Sequence, residues 1–184
     1  MKGVFKINKN DINVIEFQLG RKADNFSQVV KYCPFNKPAV LMTLPYSKEN
    51  GVFPTTYWLS CPYLNKELAK LEDDGIIKDL SEKIKDSNQL REELMKTHLR
   101  YAKERFRLLG KSDLEDIERK SSRIKDVLKE SGVGGIMDKE GIKCLHTHLA
   151  DYLANKQNPI GKLVWNMVNW PEECDFCMIN EEKG

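Results

Sequence analysis

Pro62 divides this 184-residue chain into two stretches that obey different folding rules. Before it, short β-branched and aromatic runs stand between prolines. Gln28 to Tyr32 leads into Cys33-Pro34, Ala39 to Leu44 lies between Pro38 and Pro45, and Thr55 to Ser60 follows Pro54. Proline ends hydrogen-bonded ladders because it has no N–H to donate, so these runs predict three short strands. Their connections are too short for parallel crossovers, which makes the pairing antiparallel. The segment from Tyr46 to Pro54 reads as a turn-rich loop. After Pro62, apolar residues recur at helical spacing and glycines punctuate them. Pro62 itself suits the first position of a helix, where its fixed φ is already helical and its missing N–H would have had no partner.

The helical elements follow from this punctuation. A first helix is predicted from Asn10 to Leu19, capped by Asn10 or Asp11 and stopped by Gly20. Beyond Pro62, Leu64, Leu68 and Leu71 mark one face of a helix closed by Gly75. Further helices are expected over 76–85, 88–109, 113–129 and 144–154, the third of these capped by Ser112 or Asp113. Asn158-Pro159 starts a last one that runs to about Val168. Gly132-Val133-Gly134-Gly135 reads as a flexible connection. The fold class is therefore α+β and mainly helical, with a small antiparallel sheet near the N-terminus packed on a helical bundle. Residues 1–170 are expected to form a single globular domain, and 171–184 an acidic tail that carries Cys174-x-x-Cys177.

Charge and hydropathy narrow the function classes. Charged residues make up 32% and hydrophobic residues 40%, a mix that suits helices with long solvated faces. Thirty basic against 28 acidic side chains leave a net charge of +2, so nucleic acid is not an expected partner. No apolar run approaches the ~18 residues that span a bilayer, so no membrane association is expected. Met1-Lys2-Gly3-Val4-Phe5-Lys6 lacks the apolar core of a secretion signal. A cytoplasmic location follows as the expectation. Thiols stay reduced there, which favours metal binding or reactivity over a disulfide framework.

The chemistry then rests on three segments: Cys33-Pro34-Phe35, Cys61-Pro62-Tyr63 and Cys144-Leu145-His146-Thr147-His148. If Pro62 opens a helix, Cys61 is its cap, and the unpaired N–H groups and helix dipole favour its thiolate. Cys33 sits in a turn. On a continuous helix Cys144 and His148 share a face, whereas a Cys144 just ahead of the first turn can reach the same point as His146. Cys33, Cys61 and Cys144 with either His146 or His148 make a four-ligand set for zinc, and the same set suits an iron–sulfur cluster. The bland alternative is that each cysteine is a small buried residue. Cys174-x-x-Cys177 is a half-site of the right spacing that completes a site if the tail folds back. His98, Tyr101, Glu104 and Arg105 lie along one side of a long helix and read as a buried polar network.

Several motifs in order also carry a family resemblance. They are Cys33-Pro34, Pro54-Thr55-Thr56-Tyr57-Trp58-Leu59-Ser60-Cys61-Pro62, Leu71-Glu72-Asp73-Asp74-Gly75, Gly134-Gly135-Ile136, Lys143-Cys144-Leu145-His146-Thr147-His148-Leu149-Ala150 and Asn158-Pro159-Ile160-Gly161. Together they resemble the bacterial DUF501 family, over roughly Asp11 to Val164. That family has no known function, so the resemblance implies no activity. Its pattern marks Cys33, Cys61, Cys144 and His146, which favours His146 over His148. Some members carry a further cysteine after the first Cys-Pro, where this chain has Phe35 and Asn36. Cys174 and Cys177 lie outside the resemblance. Three functions compete: a zinc or iron–sulfur centre with a structural or redox role, a thiol enzyme with Cys61 as nucleophile and His146 or His148 as base, and a metal-free interaction module.

Overall fold

The computed structural model describes residues 8–177; residues 178–184 of the expected tail lie outside the described residues. Helix α1 spans Lys9–Leu19 and ends at Gly20 in the left-handed conformation. Its cap is Asn8 rather than Asn10 or Asp11, because Asn8 Oδ1 accepts the Asp11 N–H at 2.8 Å. Strands β1 (Phe26–Tyr32) and β2 (Pro38–Thr43) form an antiparallel pair. The loop that follows contains a two-stranded hairpin, β3 (Tyr46–Ser47) and β4 (Gly51–Val52). Strand β5 (Tyr57–Leu59) then pairs antiparallel with the other edge of β2. The sheet order β1-β2-β5 places β2 in the middle, and its Ala39, Val40 and Leu41 are wholly buried.

The helices are α2 (Pro62–Asp73), α3 (Ile76–Asp86), α4 (Asn88–Arg107), α5 (Lys111–Lys120), α6 (Ser122–Glu130), α7 (Leu145–Asn155) and α8 (Pro159–Val168). Pro62 and Pro159 both stand at helix starts, with Cys61 and Asn158 as the caps. The single helix expected over 113–129 is two, since Ser121 is fully extended (φ −174°, ψ 128°). Its cap is also different: Gly110 precedes α5, and Asp113 Oδ2 accepts the Gly110 N–H at 2.8 Å. The break lets Ile117 of α5 and Leu128 of α6 meet Tyr46 in one small satellite core.

Helix α7 is the centre of the main core. Leu145, Leu149, Ala150 and Leu153 join Val40, Leu59, Leu64, Leu68 and Val164 in one buried cluster. Gly161 lets α8 lie close to α7, because a Cβ there would fall 2.2 Å from the His148 carbonyl oxygen.

Of the polar network expected on α4, His98, Tyr101 and Arg105 are buried, whereas Glu104 is part-exposed and pairs with Arg100 at 2.8 Å. Tyr101 Oη accepts the N–H groups of Thr56 and Tyr57, which ties α4 to the start of β5. Arg105 is fully buried and has no carboxylate partner among the described residues; it donates to the carbonyls of Pro54, Val127, Leu128, Ser131 and Gly132. Burial pulls its guanidinium down to about 10. His98 accepts the Val133 N–H at Nδ1, so Nε2 carries the proton and donates to the Gly141 carbonyl. The segment Val133–Gly135, expected to be a flexible connection, is instead a buried turn. Gly132 is required by contact, since a Cβ there would lie 2.2 Å from His98 Nδ1.

Candidate metal centre

Two cysteines cap helices: Cys61 at α2 and Cys144 at α7. Cys144 is extended (φ −158°, ψ 155°), so it stands just ahead of the first turn. Its side chain is thereby released from the helical face shared by residues four apart, and it meets His146 rather than His148. The end of α2 reaches the same place. Glu72 Oε1 accepts the Leu145 N–H at 2.6 Å and lies 3.1 Å from His146 Nδ1. A carboxylate at a helix N-terminus is stabilised by the unpaired amides and the dipole, which explains its position.

One ligand atom each from Glu72, Cys144 and His146 lies within 4.8 Å of the other two. The electrostatics of the pair are reciprocal. Burial disfavours the Cys144 thiolate, but the His146 imidazole, the Thr147 hydroxyl and the Thr147 amide outweigh it and bring the thiol below its ordinary value. His146 is raised, first by Cys144 and then, against the cost of burial, by Glu72. Thr147 Oγ1 sits 3.3 Å from Cys144 Sγ. The arrangement is a thiol and an imidazole held side by side, each favouring the charged form of the other, with a carboxylate behind the ring. Lys143 Nζ, bonded to the Gly134 carbonyl at 2.9 Å, ties the irregular segment that enters the site to the buried turn.

The other expected ligands are elsewhere. His148 is fully buried and faces His98 edge-on, with ring centroids 5.8 Å apart. Asn158 Oδ1 accepts the Gly161 N–H and Asn158 Nδ2 donates to Asp151. His148 Nδ1 must therefore be the donor to Asn158 Oδ1, at 3.2 Å. Burial pushes His148 down to about 4, and burial together with the neighbouring His148 does the same to His98. Cys33 and Cys61 lie together at the opposite end of α2 from Glu72, lining a different cavity. Eleven residues at ~1.5 Å each separate Cys61 from Glu72 by about 16 Å along the helix, so no single ion is shared. Cys61 also has the opposite chemistry to that expected of a helix cap. Burial pushes its thiol up to about 12, and the amides of Leu64 and Tyr63 only partly offset this.

Sequence reasoning missed Glu72 and Thr147 as parts of the site. A signal for Glu72 was present: Glu72 and Asp73 are acidic residues in the last turn of α2, where they oppose the helix dipole.

The motif order agrees with a comparison against known families. The DUF501 model, described as a protein of unknown function, matches residues 29–166. The chain belongs to the DUF501 family. The match begins within β1 and takes in β2, β5, Cys33, Cys61, Glu72, Cys144 and His146, and it stops short of Cys174 and Cys177. No curated protein and no solved structure matches the chain. No described helix is long and apolar enough to cross a membrane.

Proposed function

We propose that this DUF501 protein binds a single divalent transition-metal ion through Cys144, His146 and Glu72. The observation that carries this reading is the approach of three chemically distinct ligand atoms to within 4.8 Å of one another at the start of α7. One sulfur, one nitrogen and one oxygen suit zinc, which accepts all three. Three protein ligands leave a fourth position open, the arrangement of a reactive zinc rather than a closed structural one; bound there, zinc would acidify a water molecule. The chain supplies the orientation. The Leu145 amide fixes the Glu72 carboxylate, and the Thr147 hydroxyl steadies the Cys144 sulfur. The test is elemental analysis of anaerobically purified protein beside the Cys144→Ser and His146→Ala variants. One zinc per chain, lost in both variants, supports the site; metal-free wild-type protein that takes up no added zinc sinks it.

A second reading is favoured by the opposed shifts of Cys144 and His146. Without metal, the same three residues form a nucleophile, a base and a group that orients the base. The thiol-enzyme reading thereby moves from Cys61 to Cys144. Under it, metal-free protein shows fast, selective alkylation of Cys144, and zinc gives no protection.

A further inference from the structure

The residues left over from this site include four of the five cysteines. Cys33, Cys61, Cys174 and Cys177 all line one cavity of about 240 Å³. They come from separate parts of the chain. Cys33 lies in the turn between β1 and β2, where the Asn36 N–H donates to its carbonyl at 3.0 Å. Cys61 caps α2. Cys174 and Cys177 follow α8 in the C-terminal segment, which folds back over α1 and α2: Cys177 Sγ accepts from Gln18 Nε2 at 3.1 Å, and Phe176 packs edge-on against Tyr63. Cys61 and Cys177 are almost wholly buried, and Lys37 brings a positive charge to the cavity.

We infer that this cavity is a second centre, which takes an iron–sulfur cluster on the four thiolates of Cys33, Cys61, Cys174 and Cys177. Thiolates in this number are the usual holders of such clusters. Spacing argues for a cluster over a lone ion. Zinc–sulfur bonds of ~2.3 Å in a tetrahedron keep all sulfurs within about 4 Å of one another. Among the described residues, only Glu72, Cys144 and His146 bring three ligand atoms within 4.8 Å, so the four sulfurs are spread more widely than an ion needs. A cluster puts several metal atoms between its thiolates, and the cavity has room for it at roughly eight times the ~30 Å³ share of one water molecule. Lys37 offsets part of the negative charge that four thiolates bring. The family match ends at residue 166, so Cys174 and Cys177 lie beyond it.

The test uses the full chain, purified without oxygen and reconstituted with ferric iron and sulfide in the presence of a thiol reductant, which supplies the electrons that a mixed-valence cluster needs. The expected result is brown protein with equal iron and acid-labile sulfide and a visible band that bleaches with dithionite. The Cys174→Ser/Cys177→Ser variant should lose iron, sulfide and colour while its far-ultraviolet circular dichroism and melting curve stay those of the iron-free wild type. The Cys144→Ser variant should keep all three, which separates this centre from the proposed zinc site. Wild-type protein that takes up no iron overturns the inference. So does colourless zinc held by these four thiols in place of iron, and so does loss of the colour in Cys144→Ser.

Discussion

Cys61 and Cys144 occupy the same local position, the cap of a helix of eleven or twelve residues, yet their thiols move in opposite directions. Both have helix amides close by. At Cys61 the surroundings are apolar or thiol, and burial wins. At Cys144 a histidine and a threonine hydroxyl stand against the sulfur, and they overturn the same penalty. A helix N-terminus is therefore a weak lever on a buried thiol, and a neighbouring imidazole is a strong one. The two histidines of α7 repeat the contrast. His146, beside Cys144 and Glu72, is raised; His148, two residues on and facing the core, is pushed down to about 4.

The largest expected effect tests the histidines. His98 and His148 lie at about 4 when folded against an ordinary 6.5, so the unfolded chain takes up protons first as the pH falls. The contribution of this pair is then flat above pH 6.5 and declines between 6.5 and 4, by on the order of 3 kcal/mol for each imidazole. His146 runs the other way: its contribution is complete below the ordinary value and fades as the pH rises through its raised one. Urea midpoints across this range measure the balance, and an unchanged midpoint from pH 7 to 4.5 would show that the buried pair is not held neutral.

Alkylation of metal-free protein tests the cysteines next. A thiol near 12 is ionised in on the order of one molecule in a hundred thousand at pH 7. Cys144 should react on the order of a hundredfold faster than Cys61, as read by peptide mass spectrometry over time. Equal rates would erase the contrast. His146→Ala should slow Cys144 about tenfold at neutral pH and shift its rate profile upward, leaving Cys61 unchanged. Thr147→Val, which removes the hydroxyl 3.3 Å from the sulfur, is the mildest change and should slow it about threefold.

What the sequence made legible follows from which physics is local. Proline and glycine punctuation located the strands of the sheet and most of the helices, because it acts through a residue's own backbone. The split at Ser121 carried no such mark; it arises because Ile117 and Leu128 both serve Tyr46, a contact some 70 residues away in the chain. The cysteines and histidines were visible as a group, but their division between two ends of α2 depends on where that helix points. Whether Cys61 is buried or His146 is backed by Glu72 is a property of packing, which spacing alone does not carry.

Arg105 has a consequence for the way the molecule opens. Helices α5 and α6 rest on a small satellite core of Tyr46, Ile117 and Leu128, with half-buried Val52, Leu109 and Ile124 around it, and on that basis would detach readily. The guanidinium prevents it, because its acceptors are the last carbonyls of α6 and those of Ser131 and Gly132. Lifting α6 alone would strand a cation in the protein interior. Amide hydrogen exchange should therefore find α6 and the turn at 131–136 opening as one unit, with a protection set by the main core rather than by the small one beneath them.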